Sequence, residues 1–305
     1  MIFKFSKNIN FSSFYKKLNI LSVCLIFLSL FIILFKGLNL GVDFKGGTLI
    51  EVRTENLKTG IAEIRQSFLK MELGDVTVKK FGKEGDYLVK IEKTNSAEEN
   101  FIKSINDKLS SDLGTVVNFR RVENVGPKVS GELLKAGLLA ISLSLAAMLF
   151  YIWIRFEWQF SLGAIVAIVH DVVITLGVFS LLSYEINLSI IAAVLTIVGY
   201  SMNDTVVIFD RIRENLRKYS KISISEISNI STNETLSRTL VTSITTLLAL
   251  FSIFIFGGEI LKGFSFAMII GVLIGTYSSI FVATPILNYT KVNQKSVLKE
   301  DIENN

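Results

Sequence analysis

The sequence has almost none of the residues that build disulfides, metal centres and thiol nucleophiles. Its 305 residues include one cysteine, Cys24, and one histidine, His170. A disulfide needs two cysteines, and a zinc site needs a cluster of histidine, cysteine or carboxylate ligands. Because Cys24 lies inside an apolar run, a Cys-His nucleophile pair is not expected either. We therefore predict no metal, no cofactor and no catalytic residue.

Charge is also scarce in this chain. Charged residues make up 19% and hydrophobic residues 50% of the sequence, and the mean hydropathy is +0.51. This composition is too apolar for an ordinary soluble domain. The net charge of +5 comes from basic residues scattered through loops, without an arginine-rich face or an aromatic stacking platform, which argues against a nucleic-acid partner. The composition indicates a protein that lies in membrane lipid.

Six apolar runs are long enough to cross a bilayer. A helix rises ~1.5 Å per residue and needs roughly 20 mostly apolar residues to cross hydrocarbon ~30 Å thick. The runs cover residues 18–36, 133–154, 160–183, 188–209, 236–256 and 264–288. The first run could alternatively be a signal peptide, but its length and the lack of a small-residue cleavage site favour a retained span.

Basic residues in the loops predict the orientation of the spans, because cytoplasmic loops are enriched in lysine and arginine. They lie before span one, between spans two and three, after span four and after span six, all on one side: Lys4, Lys7, Lys16, Lys17, Arg155, Arg211, Arg213, Arg217, Lys218, Lys221, Lys291, Lys295 and Lys299. The turns on the other side, 184–187 and 257–262, carry one basic residue between them. Both termini are therefore expected in the cytoplasm.

Residues 37–132 have the pattern of a separate domain outside the membrane. The segments TLIEVRT, VTVKKFG, YLVKIEK and TVVNFRRVENV are strand-like, while GIAEIRQSFLKME and AEENFIKSINDKL are helix-like. Their order, βαββαβ, is that of a ferredoxin-like sheet with two helices on one face. We thus expect a first span within residues 1–36, an α+β domain at 37–132, a five-helix bundle at 133–290 and a cytoplasmic tail at 291–305.

Several small residues are interpreted as structural. Gly46 and Gly47 are interpreted as a hinge rather than a phosphate loop, because a strand and not a helix follows them. Gly126 and Pro127 mark the other edge of the domain. A stripe in span six allows close helix packing, and its members are Gly271, Gly275 and Ser279.

Ionisable residues in span three are candidate functional groups, because each costs ~2.5 to 3.5 kcal/mol inside hydrocarbon. His170 and Asp171 fall near the middle of the span. Asp171 shares a stripe with Gly163 and Ala167, which should face other helices. The alternative is a hydrogen bond between helices that only fixes their packing.

Spans four and five carry a second pair of candidates. Asp204 lies well inside the apolar run of span four, and Arg238 enters span five among hydroxyl side chains. Arg238 could extend to the cytoplasmic surface, or it could pair with Asp204. A carboxylate changes its proton affinity when its distance to a cation changes. Such a pair predicts a proton carrier.

Motifs across nearly the whole chain resemble those of the SecF family of bacterial protein-export subunits, which is related to the resistance-nodulation-division transporters. They are GVDFKGGT, VGP, the HD pair, GYSMNDTVVIFDRIREN, TLSRTLVTSITTLLAL and GFSFAMIIGVLIGTYSSIF. Because several long motifs occur in the same order, the resemblance is specific.

The resemblance implies a non-enzymatic subunit of the bacterial inner membrane, with residues 37–132 in the periplasm. It would pair with SecD and use the proton-motive force to complete translocation of an unfolded polypeptide through the SecYEG channel, after the SecA ATPase has acted. The family's proton-coupling aspartate and arginine match Asp204 and Arg238, and Asp171 and His170 are further candidates.

Three other classes of function stay open at this point. A stand-alone proton-coupled exporter of lipids or small molecules has a similar topology, but such exporters generally have two six-span halves. An intramembrane aspartyl protease could use Asp171 and Asp204 as a dyad, although Arg238 would oppose a shared proton. A structural scaffold would tolerate neutral replacements of Asp204 and Arg238.

Overall fold

The computed structural model describes residues 8–92, 99–219 and 221–292. Its chain divides into two compact units, which are treated separately below. The α/β unit comprises residues 40–139 and 185–188, and the membrane unit comprises the remaining described residues. The predicted basic residues Lys4, Lys7, Lys295 and Lys299, and most of the predicted tail, lie outside the described residues.

Six helical segments have the length and apolar composition of membrane spans, as predicted. The first is a 3₁₀ turn, Phe11–Phe14, followed by α1, Tyr15–Lys36. The next four are α5 (Pro127–Arg155), α6 (Trp158–Leu182), α7 (Leu188–Lys218) and α8 (Ile224–Phe256). The sixth is built from α9 (Gly258–Ser278), a π-helical turn (Ser279–Ala283) and α10 (Thr284–Tyr289).

Two of these helices are longer than hydropathy alone indicates. Helix α7 continues to Lys218, and α8 begins at Ile224 rather than near residue 236. The added turns, at the end of α7 and the start of α8, are rich in polar residues, so a search for apolar runs does not detect them. Ser223 is the N-cap of α8, because its hydroxyl accepts a hydrogen bond of 3.3 Å from the amide of Glu226.

The α/β unit has the predicted order of elements. Its strands are β1 (Gly47–Thr54), β2 (Val76–Lys80), β3 (Asp86–Ile91) and β4 (Val117–Val125), and its helices are α2 (Val42–Lys45), α3 (Ile61–Leu69) and α4 (Glu99–Leu113). The strands pair antiparallel in the order β2-β3-β1-β4, which confirms the ferredoxin-like arrangement. Residues 97 and 98 of the second predicted helix lie outside the described residues.

One face of this sheet is covered by the two helices. Ile50 and Val52 of β1 are fully buried, as are Ile64 of α3 and Leu109 of α4. The alternation of buried and partly exposed residues along β1 follows from the two-residue period of a strand. Burial of these side chains against the sheet is the main stabilising term of the unit.

The predicted glycine hinge has the backbone that its residues suggested. Gly46 and Gly47 both have positive φ angles, 77° and 115°. A Cβ atom on Gly47 would lie 2.5 Å from the carbonyl oxygen of Ile91, so only glycine fits there. At the other edge, β4 ends at Val125, and after Gly126 the helix α5 begins at Pro127, a favoured first position for proline.

The small-residue stripe of span six packs α9 against α7. A Cβ atom on Gly271 would lie 2.2 Å from Cγ1 of Ile197, and one on Gly275 would lie 3.0 Å from Cβ of Ser201. The π-helical turn begins at Ser279, the last residue of the stripe. Close approach of these two helices therefore depends on the absence of side chains at both glycines.

Candidate functional site

The carboxylate of Asp171 is the polar centre of the membrane unit. It is 1% exposed, and its Oδ2 accepts hydrogen bonds from Ser201 of α7 at 2.5 Å and from Ser278 of α9 at 2.8 Å. Its Oδ1 lies 2.8 Å from Nδ1 of His170. The stripe predicted to face other helices does so, and one carboxylate connects α6, α7 and α9.

His170 extends the same cluster toward α1. Its ring is fully buried and stacks on Tyr277, with the ring centroids 6.0 Å apart. The Tyr277 hydroxyl donates to the carbonyl oxygen of Leu18 at 2.8 Å and lies 2.8 Å from the Ser22 hydroxyl. Among the described residues, Nε2 of His170 has no hydrogen-bond partner. One ring nitrogen is thus fixed by Asp171 while the other is left buried and free.

A second hydroxyl contact lies one turn further along α7. Thr205 and Ser279 are both buried, and their hydroxyl oxygens are 2.9 Å apart. Ser279 also lies 2.8 Å from the carbonyl oxygen of Gly275, to which it donates. The small-residue stripe therefore combines close packing with hydrogen bonds between helices, which supplement van der Waals contact in lipid.

Asp204 has a different environment from that of Asp171. It is 3% exposed, and its Oδ2 has no hydrogen-bond partner among the described residues. No hydrogen bond joins the carboxylates of Asp171 and Asp204, whereas an aspartyl-protease dyad needs two carboxyl groups that share a proton. The two acids therefore form separate sites, one saturated with donors and one not.

Arg238 lies in a cavity open to the surface of the described chain. Its side chain is exposed, and it lines a space of about 720 Å³ together with residues of α5, α7 and α8. Asn203, the neighbour of Asp204, and Tyr151 of α5 line the same space. An arginine inside an apolar helix is costly in contact with lipid unless its guanidinium group reaches water or a polar partner.

Asp204 and Arg238 lie close along the bundle without touching. Tyr200 of α7 contacts Thr246 of the antiparallel α8, with 3.5 Å between their hydroxyl oxygens. Asp204 follows Tyr200 by about one turn of α7, and Arg238 precedes Thr246 by about two turns of α8. They interact electrostatically, but no salt bridge within 4.0 Å forms between them. In this conformation the two side chains are therefore not joined by a salt bridge.

Charged residues at the ends of α5, α7 and α8 form ion pairs. Arg155 lies 2.7 Å from Asp210, and Arg213 lies 3.3 Å from the buried Glu157. In a further pair of contacts, Arg211 is bonded both to Glu214 at 2.5 Å and to Glu234 at 2.6 Å. These ion pairs connect the charged end of α7 to neighbouring segments.

Comparison with known families identifies the chain. The family model "Protein export membrane protein SecD/SecF, C-terminal" matches residues 104–293, and the model "SecD/SecF GG Motif" matches residues 31–56. The second match covers the glycine pair whose backbone is described above. The chain belongs to the SecF family.

Curated SecF relatives align over most of the chain. Protein translocase subunit SecF of Rickettsia bellii (strain OSU 85-389) is 47% identical over 252 residues, which are 82% of each chain. The same subunit of Rickettsia conorii is 48% identical over 84% of this chain and 83% of the relative. That of Calditerrivibrio nitroreducens is 43% identical over 96% of this chain and 98% of the relative.

Two solved SecDF structures share the fold. The crystal structure of SecDF, a translocon-associated membrane protein from Thermus thermophilus, aligns with a TM-score of 0.86 and 32% identity over 95% of this chain. A crystal structure of SecDF in a super-membrane-facing form aligns with a TM-score of 0.71 and 31% identity over 99% of this chain. This chain spans 40% and 41% of those two longer chains.

Two important residues of the site were not predicted from the sequence. Ser201 and Ser278 donate to Asp171, yet neither is distinguishable by itself from other serines in apolar helices. Their positions carried a signal. Ser201 directly follows Tyr200, one turn before Asp204, and Ser278 directly precedes the stripe residue Ser279. His170, Asp171, Asp204 and Arg238 were all predicted, and the structure places the first two in one cluster and the last two near a separate cavity.

Proposed function

We propose that this SecF family member is a proton-coupled subunit of the bacterial Sec translocase. With a SecD-like partner it would use the proton-motive force to complete translocation through SecYEG after the SecA step. In this proposal Asp204 takes up and releases the proton, and Arg238 modulates its affinity. The membrane is the bacterial inner membrane, with both termini in the cytoplasm.

The observation that carries the proposal is the incomplete set of partners around Asp204. Both oxygens of Asp171 have polar partners, since Ser201 and Ser278 donate to one and His170 contacts the other. Asp204 is equally buried but keeps one oxygen without a donor. It can therefore accept a proton without breaking an existing contact at that oxygen.

Arg238 supplies the second requirement, a cation whose distance can change. It interacts electrostatically with Asp204 and lines an open cavity rather than a packed interface. A movement of α8 or of a partner helix would alter the separation of the two charges. Because a nearby cation favours the ionised carboxylate, that movement would load or release the proton.

The available energy suits a conformational change of this kind. One unit charge that crosses the membrane potential yields ~2.3 kcal/mol per 100 mV. Two conformations that differ by a few kcal/mol are shifted substantially by a free energy of that size. We propose that the change reaches the periplasmic α/β domain at residues 37–132, which would bind the emerging polypeptide.

The cavity around Arg238 is the proposed contact for the SecD-like partner. It is bordered by α5, α7 and α8 and exposes an arginine at membrane depth, which lipid alone would leave without hydrogen bonds. A partner helix with a polar or acidic residue would satisfy that side chain. His170 and Asp171 would support the coupling by holding α6, α7 and α9 together beside the carrier.

Substitution of Asp204 tests the proposal. In membrane vesicles that contain the full translocase, a polypeptide is arrested after the SecA step, ATP is removed, and an imposed proton-motive force drives completion. Asp204→Asn should abolish the part of completion that depends on this force, while Glu226→Gln, an exposed acid at the start of α8, should leave it intact. Undiminished completion by Asp204→Asn at normal protein levels would contradict a carrier role.

A further inference from the structure

A second cavity, of about 520 Å³, lies where α5 and α7 end. Four cationic and two anionic side chains line it: Arg155, Arg213, Arg217, Lys218, Asp210 and Glu214. The lining therefore carries a net charge of about +2 at neutral pH, by the ordinary ionisation of these groups. This excess of cations favours an anionic ligand.

Two of the guanidinium groups are held in place by the fold. Both lie over the buried ring of Phe156. Cζ of Arg155 is 5.0 Å and Cζ of Arg213 is 5.4 Å from the ring centroid. Arg213 is further fixed by Glu157 at 3.3 Å and by a hydrogen bond of 3.0 Å that it donates to the carbonyl oxygen of Arg155. Arg155 is also paired with Asp210 at 2.7 Å, but its side chain is 43% exposed and lines the cavity. Arginine is suited to phosphate oxygens, because its planar fork carries several donors.

The surroundings of this cavity are those of a membrane interface. Trp153 near the end of α5 is 66% exposed, and Trp158 at the start of α6 is 61% exposed. Ile154, between them in sequence, is 65% exposed. Exposed tryptophans are typical of the headgroup level of a bilayer, where their rings contact both acyl chains and water. A phosphate group bound here would be at the depth of lipid headgroups.

We infer that this cavity binds the phosphate headgroup of an anionic phospholipid. Basic pockets between membrane helices bind such headgroups. Here the guanidinium groups would contact the phosphate, and the neighbouring tryptophans would contact the acyl chains. The exposed Arg217 and Lys218, with Arg155 beside them, would bind the phosphate oxygens, and the buried Arg213 would add positive charge behind them. This inference does not depend on the proton-coupling role of Asp204.

The test is lipid binding to the intact chain, measured by native mass spectrometry in detergent. Phosphatidylglycerol and phosphatidylcholine with the same acyl chains are titrated separately. The variant Arg217→Gln/Lys218→Gln is compared with Lys16→Gln/Lys17→Gln, which removes two exposed lysines of α1 outside the cavity. We expect the wild type to prefer phosphatidylglycerol and the cavity variant to bind it roughly 30-fold more weakly, the loss that two interfacial cations correspond to.

Three outcomes would overturn the inference. The first is equal binding of the two lipids by the wild type, and the second is an equal loss of binding in both double variants. The third is displacement of the lipid by millimolar inorganic phosphate, or binding of phosphate alone with comparable affinity, because the cavity would then be a site for a soluble ligand. Circular dichroism of each variant before titration confirms that a loss of binding occurs in folded protein.

Discussion

Ser201 of α7 donates a hydrogen bond of 2.5 Å to Oδ2 of Asp171 on α6. The same oxygen accepts a second bond of 2.8 Å from Ser278 of α9. Two consecutive helices, α6 and α7, therefore meet the more distant α9 at one buried atom. Since lipid offers no replacement donor, this contact both specifies how the helices pack and stabilises them.

Replacement of Ser201 by alanine should destabilise the membrane unit. The change removes one donor from a buried carboxylate, which costs about 0.6 to 2 kcal/mol in a membrane protein. The free energy of unfolding is measured in detergent by denaturant titration. Ser252→Ala is the matched control, because Ser252 is exposed and its hydroxyl donates only within its own helix, to Leu248. Equal stability of the two variants would show that the contact with Asp171 is unimportant for folding.

Gly271→Ala should disturb the contact of α9 with α7. The added methyl group would lie 2.2 Å from Cγ1 of Ile197, a buried and β-branched residue that cannot easily move away. Overpacking of this kind costs about 1 to 3 kcal/mol. Gly263→Ala is the control, because its methyl group would lie 3.4 Å from Ile190, an ordinary contact.

A double variant distinguishes overpacking from other effects of Gly271→Ala. If the clash with Ile197 is the cause, Ile197→Ala should recover stability when it is added to Gly271→Ala, although Ile197→Ala alone creates a cavity and destabilises. The melting temperature in detergent of the four proteins in this cycle gives the coupling. Strictly additive effects of the two substitutions would contradict direct contact.

Much of this fold could be predicted because its signals are local. The spans follow from runs of apolar residues, and the strands and helices of the α/β unit follow from changes of hydrophobic period, with the glycine pair at a backbone that only glycine adopts readily. The polar start of α8 was missed because hydropathy reports lipid contact and not helix formation. Residues 224–234 precede the apolar run and form the first three turns of the same helix.

The main residues of the site were predicted from the sequence, but which of them lie together was not. A buried Asp171 or Asp204 is recognised by its cost in an apolar helix, whatever it contacts. Which helices touch depends on packing between distant segments, so the donors Ser201 and Ser278 were not identified. The same limit left open whether Arg238 pairs with Asp204 or extends to the surface, because the answer depends on how α7 and α8 pack.

The ion pair of Arg53 and Asp86 should make the α/β unit sensitive to acid. Arg53 donates two hydrogen bonds to Asp86, of 2.6 and 2.5 Å, and these hold the pKa of that carboxyl below its usual range. A lowered folded pKa contributes stability that is fully present above the unfolded pKa of about 3.9 and is lost as the pH falls through the folded pKa. Asp86→Asn should therefore weaken the unit at neutral pH and remove this acid sensitivity.

Hydrogen exchange of the intact protein measures this effect. The amides of β1 and β3 should exchange faster in Asp86→Asn than in the wild type at about pH 6. The two proteins should converge as the pH falls through the lowered folded pKa of Asp86. Asp75→Asn, an exposed acid of the same unit, serves as the control and should match the wild type throughout. A difference between Asp86→Asn and the wild type that stays constant with pH would contradict the ionic explanation.

Asparagines of α8 hold the segment that precedes α1. The side chain of Asn233 accepts a bond of 2.9 Å from the amide of Ile9, and that of Asn229 accepts one of 2.8 Å from the amide of Ser12. Between these amides, Phe11 is buried and its ring lies 6.0 Å from that of Phe281 in the π-helical turn. The segment is therefore fixed to the polar start of α8 and to the end of span six.

The double variant Asn229→Ala/Asn233→Ala should release this segment. Each lost hydrogen bond costs about 0.5 to 1.5 kcal/mol, so exchange of the amides of Ile9 and Ser12 should accelerate by roughly 5- to 100-fold. Hydrogen exchange of the intact protein is read by mass spectrometry on peptides that cover residues 9–14. Asn19→Ala, which removes only a longer contact of 3.3 Å with Tyr289, should leave exchange unchanged. If the double variant exchanges like the wild type, burial of Phe11 and not the asparagine pair fixes the segment.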